Sequence, residues 1–334
     1  MKKNIAIVAG GYSSEWQVSL RSANGIYSFL PKDKYEITIV TIIGDKWTAR
    51  PNEDEEYNID KNDFSYTNHD GQKVMFDCAY ITIHGTPGEN GLLQGYFEMI
   101  GMPYSCCGVL PAALTFNKFA CNRYLQGFGI KIAQSILLRK GETIHDDAVI
   151  QQVGLPCFIK SNVGGSSFGV TKVKQIAEIQ PAIQNAFNEG DEVIIESFLQ
   201  GTELTCGVYK TQDKEVAFPL TEVVTTNEFF DYDAKYNGQV DEITPARIPD
   251  DIARQIQQLT LRIYDILGCK GIIRVDYILH EDKSFSLLEV NTTPGMTATS
   301  FIPQQVRAAG LDIAHVLEEI IENEIRRHKN TTTR

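Results

Sequence analysis

Apolar and polar positions along the chain change period several times, and each change marks an element. Asn4–Val8 is a short, mostly apolar run that reads as a strand. In Trp16–Leu30, Val18, Ala23, Ile26, Tyr27 and Leu30 fall near helical spacing. Tyr35–Ile43 and Phe76–Ile83 are β-rich. Leu93, Tyr96, Phe97 and Ile100 recur at i, i+3, i+4 and i+7, one face of a helix. Strands alternating with helices predict a parallel sheet covered on both sides.

Beyond this first third the pattern shifts. Cys157–Lys160 is a short strand, followed by the Gly/Ser-rich stretch Ser161–Gly169. Ile179, Ala182, Ile183, Ala186 and Phe187 mark a helix with Pro181 in its early turn. Val193–Ile195 and Thr202–Tyr209 read as strands. Thr225–Pro245 is aromatic and charged without a clear period, and a segment that long suggests a lid. Ile252, Ile256, Leu259, Ile263 and Ile266 then give a strongly amphipathic helix. Strands at Gly271–Leu279 and Ser284–Val290 and a helix at Ala314–Ile325 complete the pattern, with no internal repeat.

Composition narrows the function. At 334 residues the chain has room for two or three domains. A net charge of −12 argues against nucleic acid as main partner, since phosphate contacts need a basic face. No stretch is long and apolar enough to span a bilayer, and the apolar run after Met1-Lys2-Lys3 is too short for a signal peptide. The 7 cysteines form no C-x-x-C and read as small buried hydrophobes in a reducing cytosol. The basic tail from Arg326 onward is expected to be frayed and solvated. Gly10-Gly11 follows a strand, but the full G-x-G-x-x-G of a dinucleotide site is absent.

The two late strands carry the candidate metal chemistry. With the turn at Asp282-Lys283, Asp276 sits opposite Glu289 and Arg274 opposite Asn291. Side chains alternate across a strand, so all four project from one face. Opposed Cβ atoms lie about 4.5–5.5 Å apart, and two carboxylates that close repel unless a cation or proton intervenes. Their oxygens suit Mg²⁺ or Mn²⁺. The competing reading is a solvated sheet face with Arg274 pairing the acids. Upstream, Lys160 leads into Ser161-Asn-Val-Gly-Gly-Ser-Ser-Phe-Gly169, where consecutive N–H groups can converge on phosphate. A flexible hairpin turn is the alternative there.

These stretches resemble the D-alanine–D-alanine ligases. The likeness runs from about Asn4 to about Leu311 through Gly10-Gly-Tyr-Ser-Ser-Glu-Trp-Gln-Val-Ser-Leu20, His84-Gly-Thr-Pro-Gly-Glu-Asn-Gly-Leu-Leu-Gln-Gly95, Phe158-Ile-Lys-Ser, Gly165-Ser-Ser-Phe-Gly169, Ile195-Glu-Ser-Phe-Leu-Gln-Gly-Thr-Glu203, Phe230-Asp-Tyr-Asp-Ala-Lys-Tyr236, Gly271-Ile-Ile-Arg-Val-Asp276 and Leu288-Glu-Val-Asn-Thr-Thr-Pro-Gly-Met-Thr297. The resemblance implies an α/β ATP-grasp fold: a Rossmann-like parallel-sheet domain over 1–121, then two ATP-clasping α+β domains over 122–204 and 205–334. It implies a cytoplasmic homodimer, ATP and D-alanine as substrates, and no nucleic acid or membrane partner. The expected reaction joins two D-alanines through a D-alanyl phosphate, for peptidoglycan synthesis. The alternatives are a D-alanine–D-lactate or D-alanine–D-serine ligase of the same fold, or a nucleotide-binding regulator that has lost catalysis.

By the same resemblance, Lys160, Glu196, Glu203, Phe229 and Lys235 bind ATP, with Glu196 at the adenine end, Glu203 on the ribose and Phe229 over the base. Asp276, Glu289 and Asn291 hold two Mg²⁺ ions. Glu15 receives the first D-alanine's ammonium and is positioned by Ser166 and Tyr236. Arg274 and the Gly295 N–H stabilise the oxyanion; His84 lies near the substrates, and Ser300 binds the second carboxylate. Read without the family, Glu15 is a helix cap and His84 a satisfied core histidine. Three positions depart from the family pattern: Asn122 stands where an ATP-contacting lysine is usual, Gly164 where Glu is usual, and Asn90 where Asp is usual. Lys160 and the metal are expected to compensate for Asn122, with Arg123, on a helix over Ala112–Gln126, as a secondary contact.

Overall fold

A computed structural model describes residues 2–164, 169–225 and 240–332. Its first sheet combines β1 (Lys3–Gly10), β2 (Tyr35–Ile43), β3 (Lys46–Arg50), β4 (Tyr57–Asn58) and, beyond a small ribbon of β5 (Tyr66–Thr67) and β6 (Lys73–Val74), β7 (Cys78–Ile81), in the order β4-β3-β2-β1-β7. β1 pairs parallel with β2 and β7, whereas β3 and β4 add antiparallel edges to the expected parallel sheet. Ile5, Ile7 and Ala9 bury against one layer and Ala6 and Val8 against another, so β1 is covered on both faces. α1 (Trp16–Phe29) lies on the first side, and α2 (Leu92–Ile100) supplies Leu93 and Phe97 to the second.

The predicted helix over Ala112–Gln126 is two helices, α3 (Val109–Phe116) and α4 (Lys118–Gln126). Asn117 separates them with extended backbone, and its side chain accepts the Ala120 N–H as an N-cap. The middle sheet contains β8 (Ser135–Arg139), β9 (Cys157–Ser161), β10 (Thr171–Val173) and β11 (Glu192–Ser197), ordered β10-β9-β11-β8, with α5 (Asp146–Gln152) and α6 (Ile179–Phe187). Ile159, Val193 and Ile195 pack against Ile179, Ala182, Ile183 and Ala186. Strand alternation leaves Phe158, Lys160 and Glu196 on the opposite face.

The third sheet holds β12 (Thr202–Lys210), β13 (Glu215–Ala217), β14 (Thr221–Thr225), β15 (Val240–Ile243), β16 (Ile272–Leu279) and β17 (Phe285–Asn291), in the order β15-β14-β12-β16-β17 with β13 on β12. The segment Thr225–Pro245, expected as a lid, leaves from the interior strand β14 and returns through the edge strand β15, which pairs with it. Leu204, Cys206, Val208 and Val275 pack on α7 (Asp250–Leu267) and on Ala112, Cys121 and Leu125 of α3 and α4. α8 (Phe301–Ala308) covers the other face through Ile302 and Gln305 beside Gly207. α9 (Ile313–Thr332) returns to the first sheet, where Val316, Leu317, Ile320 and Ile321 meet Ile5 and Ile7. The tail expected to fray is helical to Thr332, and Arg326 reaches Asp213 at 3.0 Å. Its basic residues stand at a helix C-terminus, where cations are favoured. All seven cysteines are buried free thiols, and among the described residues no helix is long and apolar enough to cross a membrane.

Candidate active site

Two cavities meet where the middle and third sheets face each other. The first, about 770 Å³, runs between Phe158, Lys160 and Glu196 of the middle sheet and Glu203, Ile278 and Glu289 of the third. The second, about 880 Å³, reaches His84 and Glu89 of the first domain, Arg274 and Asn291 on the third sheet, and Ser300 at the start of α8. Glu15, Lys118 and Glu289, with Ser14, Phe116 and Gly164, line both and form the seam.

The candidate metal face has the anticipated register by a different route. Asp276 pairs with Glu289 and Arg274 with Asn291. Nearer the turn the pairing is offset by one residue, Tyr277 opposite Leu287, and a β-bulge between Asp276 and Tyr277 restores it. The turn itself is three residues long: His280 N–H donates to Ser284 O at 2.8 Å, and Lys283 takes φ +65°. Two irregularities cancel, and four side chains share one face.

On that face the Arg274 guanidinium donates to both Asp276 oxygens, at 2.9 and 2.7 Å, and lies over the Phe301 ring at 5.2 Å. The Asn291 amide donates to Asp276 Oδ2 at 3.1 Å and Glu289 Oε1 at 3.5 Å. Burial opposes the Arg274 charge, but Asp276, Glu289 and Glu203 outweigh it and hold its pKa above the ordinary value. Among the described residues no three His, Cys, Asp or Glu side chains gather as a metal-binding group. Two carboxylates and an amide oxygen instead make the partial set typical of Mg²⁺ completed by substrate phosphates. Of the competing reading, Arg274 does pair with Asp276, but Asp276 is buried rather than on a solvated face, and Glu289 stays 4.0 Å from the guanidinium.

Lys160, the penultimate residue of β9, reaches Glu196 Oε2 at 2.7 Å. Burial acts against its charge, yet Glu196, Glu289 and Glu203 raise its pKa. Asn122, buried at 3% exposure, donates to Glu196 Oε1 at 3.2 Å. It therefore orients a carboxylate of the first cavity. Arg123 does not line either cavity: it donates to Ser135 O at 2.8 Å and Gln126 Oε1 at 3.0 Å and covers Phe119, contrary to the expected secondary contact. Adjacent helical residues point about 100° apart, which turns Arg123 away. Among the described residues Lys118 is the cation that enters the seam, donating to Gly164 O at 2.5 Å. Burial lowers its pKa against the pull of Glu289.

Glu15 occupies the N-cap position of α1, after the tight turn at Gly10 and Gly11. A Cβ on Gly10, at φ +102°, would meet Ile42 O at 2.4 Å. The Glu15 carboxylate makes no capping hydrogen bond and faces the cavities. His84 is buried, 3.5 Å from Ser22 Oγ, and also lines the second cavity. Gly295 lies beside Ser300, whose Oγ accepts the Thr297 N–H at 3.1 Å. Ser166, Phe229, Lys235 and Tyr236 lie outside the described residues.

Glu89 was not anticipated. It accepts the Gly85 N–H at 2.7 Å and the Thr293 hydroxyl at 2.5 Å, tying the first domain to the loop after β17. Burial raises its pKa against the pull of His84 and these donors. Its neighbour Asn90 donates to Thr86 Oγ1 at 3.0 Å, a local turn contact.

Comparison with known proteins gives this arrangement its context. Residues 4–107 match the family profile described as "D-ala D-ala ligase N-terminus" and residues 124–322 that described as "D-ala D-ala ligase C-terminus". A D-alanine–D-alanine ligase from Bacteroides fragilis is 66% identical over 323 residues, covering 97% of this chain and 99% of the relative. One from Parabacteroides distasonis is 65% identical over 329 residues, covering 98% and 99%. Among solved structures, the D-alanine–D-alanine ligase from Coxiella burnetii superposes with a TM-score of 0.87 at 25% identity, covering 99% of this chain and 96% of that one. A D-Ala:D-Ser ligase from Enterococcus faecalis does so at 0.85 and 28%, covering 97% and 100%. Two sheets clasping a nucleotide-sized cavity, one bearing an acidic face, define a ligase of the ATP-grasp class. Within that class the chain belongs to the D-alanine–D-alanine ligase family.

Proposed function

We propose that the 770 Å³ cavity takes ATP, that the 880 Å³ cavity takes two D-alanines, and that the phosphoryl group passes between them at Lys118 and Glu289. The chain is an ATP-dependent ligase that makes D-alanyl-D-alanine for cell-wall synthesis. The observation that carries the assignment of cavities is the shared wall: Glu15, Lys118 and Glu289 border both spaces, so a nucleotide in one and a carboxylate in the other meet there.

Lys160 and Lys118, with Lys235, hold the phosphates, and Glu203 takes the ribose hydroxyls. Glu196, fixed by Asn122, lies at the adenine end, and Phe229 covers the base. Asp276, Glu289 and Asn291 would hold two Mg²⁺ ions, or Mn²⁺. When bound, the metal neutralises charge on the migrating phosphoryl group. Glu15 receives the first ammonium, with Ser166 and Tyr236 positioning it, and His84 borders that substrate. Ser300 binds the second carboxylate. The second amine attacks the acyl phosphate carbonyl, and phosphate leaves. Arg274 and the Gly295 N–H stabilise the tetrahedral oxyanion, a donor worth about 3 kcal/mol in comparable sites. We further propose a homodimer in the cytoplasm, with a first domain over 1–121 and clasping domains over 122–204 and 205–334.

The test is phosphate release from ATP and Mg²⁺ with D-alanine, alongside detection of the dipeptide. One phosphate per dipeptide is expected. ATP hydrolysis without dipeptide overturns the assignment.

A further inference from the structure

We propose that Glu242 on β15 receives the ammonium group of the second amino acid, as Glu15 serves the first. This rests on the ligase reading above. Two zwitterions entering one cavity bring two ammonium groups, and each needs an anionic or acceptor partner when water is excluded. Three further carboxylates line the 880 Å³ cavity: Glu89, Glu242 and Glu289. Both oxygens of Glu89 are engaged, one by Gly85 N–H and one by Thr293. Glu289 belongs to the acidic hairpin face opposite Asp276. Glu242 remains.

Its surroundings fit the task. Gln304 donates to Glu242 Oε2 at 2.5 Å, and the same amide donates to Thr299 O at 2.7 Å. Gln304 stands one helical turn beyond Ser300, with its N–H on Ser300 O at 3.2 Å. The carboxylate is thereby tied to the end of α8 proposed to hold the second carboxylate. An α-amino acid separates its ammonium and carboxylate by only one carbon, so one ligand spans neighbouring groups of this kind. Among the described residues no donor reaches the other Glu242 oxygen, Oε1. Glu242 is half-buried, and burial raises its pKa although Gln304 and Arg274 pull it down. A cationic ligand would relieve that burial cost. Glu242 thus has a rotamer fixed on one side and an acceptor left on the other.

The experiment compares Glu242→Gln with the parent enzyme, using D-alanine as donor and a mixture of D-alanine and D-lactate as acceptors. D-lactate has the same carboxylate and methyl but a hydroxyl in place of the ammonium. With Glu242→Gln the KM for the second D-alanine should rise about tenfold to a hundredfold, the scale of a lost charge-assisted contact. The KM values for ATP and the first D-alanine should hold, and the D-lactate share of product should increase. Unchanged second KM and product ratio overturn the proposal, as does an equal loss with both acceptors, which marks a purely structural role. If Glu242→Gln does not fold, Glu242→Asp is read the same way, since its shorter stem must raise the second KM selectively. Parent enzyme that releases no phosphate with D-alanine would instead overturn the ligase reading itself.

Discussion

Arg274 grips Asp276 through two parallel hydrogen bonds, at 2.9 and 2.7 Å, on the face proposed for magnesium. Bidentate guanidinium–carboxylate pairs are strong and directional. The cation there balances Asp276 while Glu289 Oε1 stays 4.0 Å from the same guanidinium. A metal held at this face would compete with Arg274 for Asp276, and the guanidinium so released would be available to the proposed oxyanion.

From this arrangement Glu289→Gln should cost several kcal/mol of transition-state stabilisation. Arg274→Ala should lower kcat about 10²–10³-fold, the scale of a lost oxyanion donor. It should also strengthen apparent Mg²⁺ binding, because Asp276 loses its competitor. Magnesium titrations of activity and of nucleotide binding separate these effects. Near-normal turnover in Glu289→Gln at ordinary magnesium would sink the metal assignment.

Asn122 and Arg123 give a contrast at adjacent positions. Asn122→Ala leaves a buried Glu196 oxygen without its donor and should cost about 1–3 kcal/mol of stability. It should weaken ATP binding as well, through the loosened Glu196. Arg123→Ala should leave the KM for ATP unchanged, since its guanidinium is spent on Ser135 and Gln126. Thermal melts and ATP saturation curves check both; an altered ATP KM in Arg123→Ala would restore the contact that the geometry removes.

Much of this site was legible in the chain, for reasons that residues make specific. The hairpin register at Asp276 and Glu289 follows from alternation alone, because the longer turn and the bulge cancel before the site is reached. Neither irregularity has a sequence signal: Lys283 takes φ +65° without being Gly or Asn. Asn122 was read through the lysine it lacks, and its partner Glu196 is 74 residues distant, beyond any local pattern. Glu242 was hidden because Asp241 and Glu242 break the apolar alternation of a four-residue strand. Lys118 was visible as a residue, but the break at Asn117 that aims it combines a local cap on Ala120 with distant contacts from Asn117 to Glu192 and from the Lys118 N–H to Asn162, which no local pattern shows.

Glu222 supplies a pH dependence. Its hydrogen bonds from Arg247, at 2.9 and 2.8 Å, hold its pKa below the usual 4.5 although burial pushes the other way. A folded pKa below the unfolded one means the contribution is full above the unfolded value. It is lost as pH falls through the folded one. The pair fastens β14 to the segment after β15. Glu222→Gln should therefore lower the melting temperature at neutral pH, and the gap from the parent should close on acidification below about 4.5. A gap that is constant from neutral to acid pH contradicts the assignment.

Gly25 tests whether the loop carrying Gly295 is set by the helix that starts at Glu15. It lies inside α1, where a Cβ would stand 2.3 Å from Met296 O and 3.4 Å from Thr297 Cα. Alanine is otherwise the better helix former by about 1 kcal/mol, so helix propensity alone predicts a gain. The contact predicts the reverse, because the clash is with backbone and has no flexible end to yield. Overpacking of this kind costs about 1–3 kcal/mol. The displaced loop bears the Gly295 N–H and, through Thr297, the Ser300 hydroxyl. Gly25→Ala should thus lower both melting temperature and kcat and raise the second D-alanine's KM. The KM for ATP should hold, since α1 beyond Glu15 does not line the first cavity. Melting and steady-state kinetics on one preparation decide it. A drop in stability with unchanged kcat and KM would show that the loop keeps its catalytic geometry independently of α1.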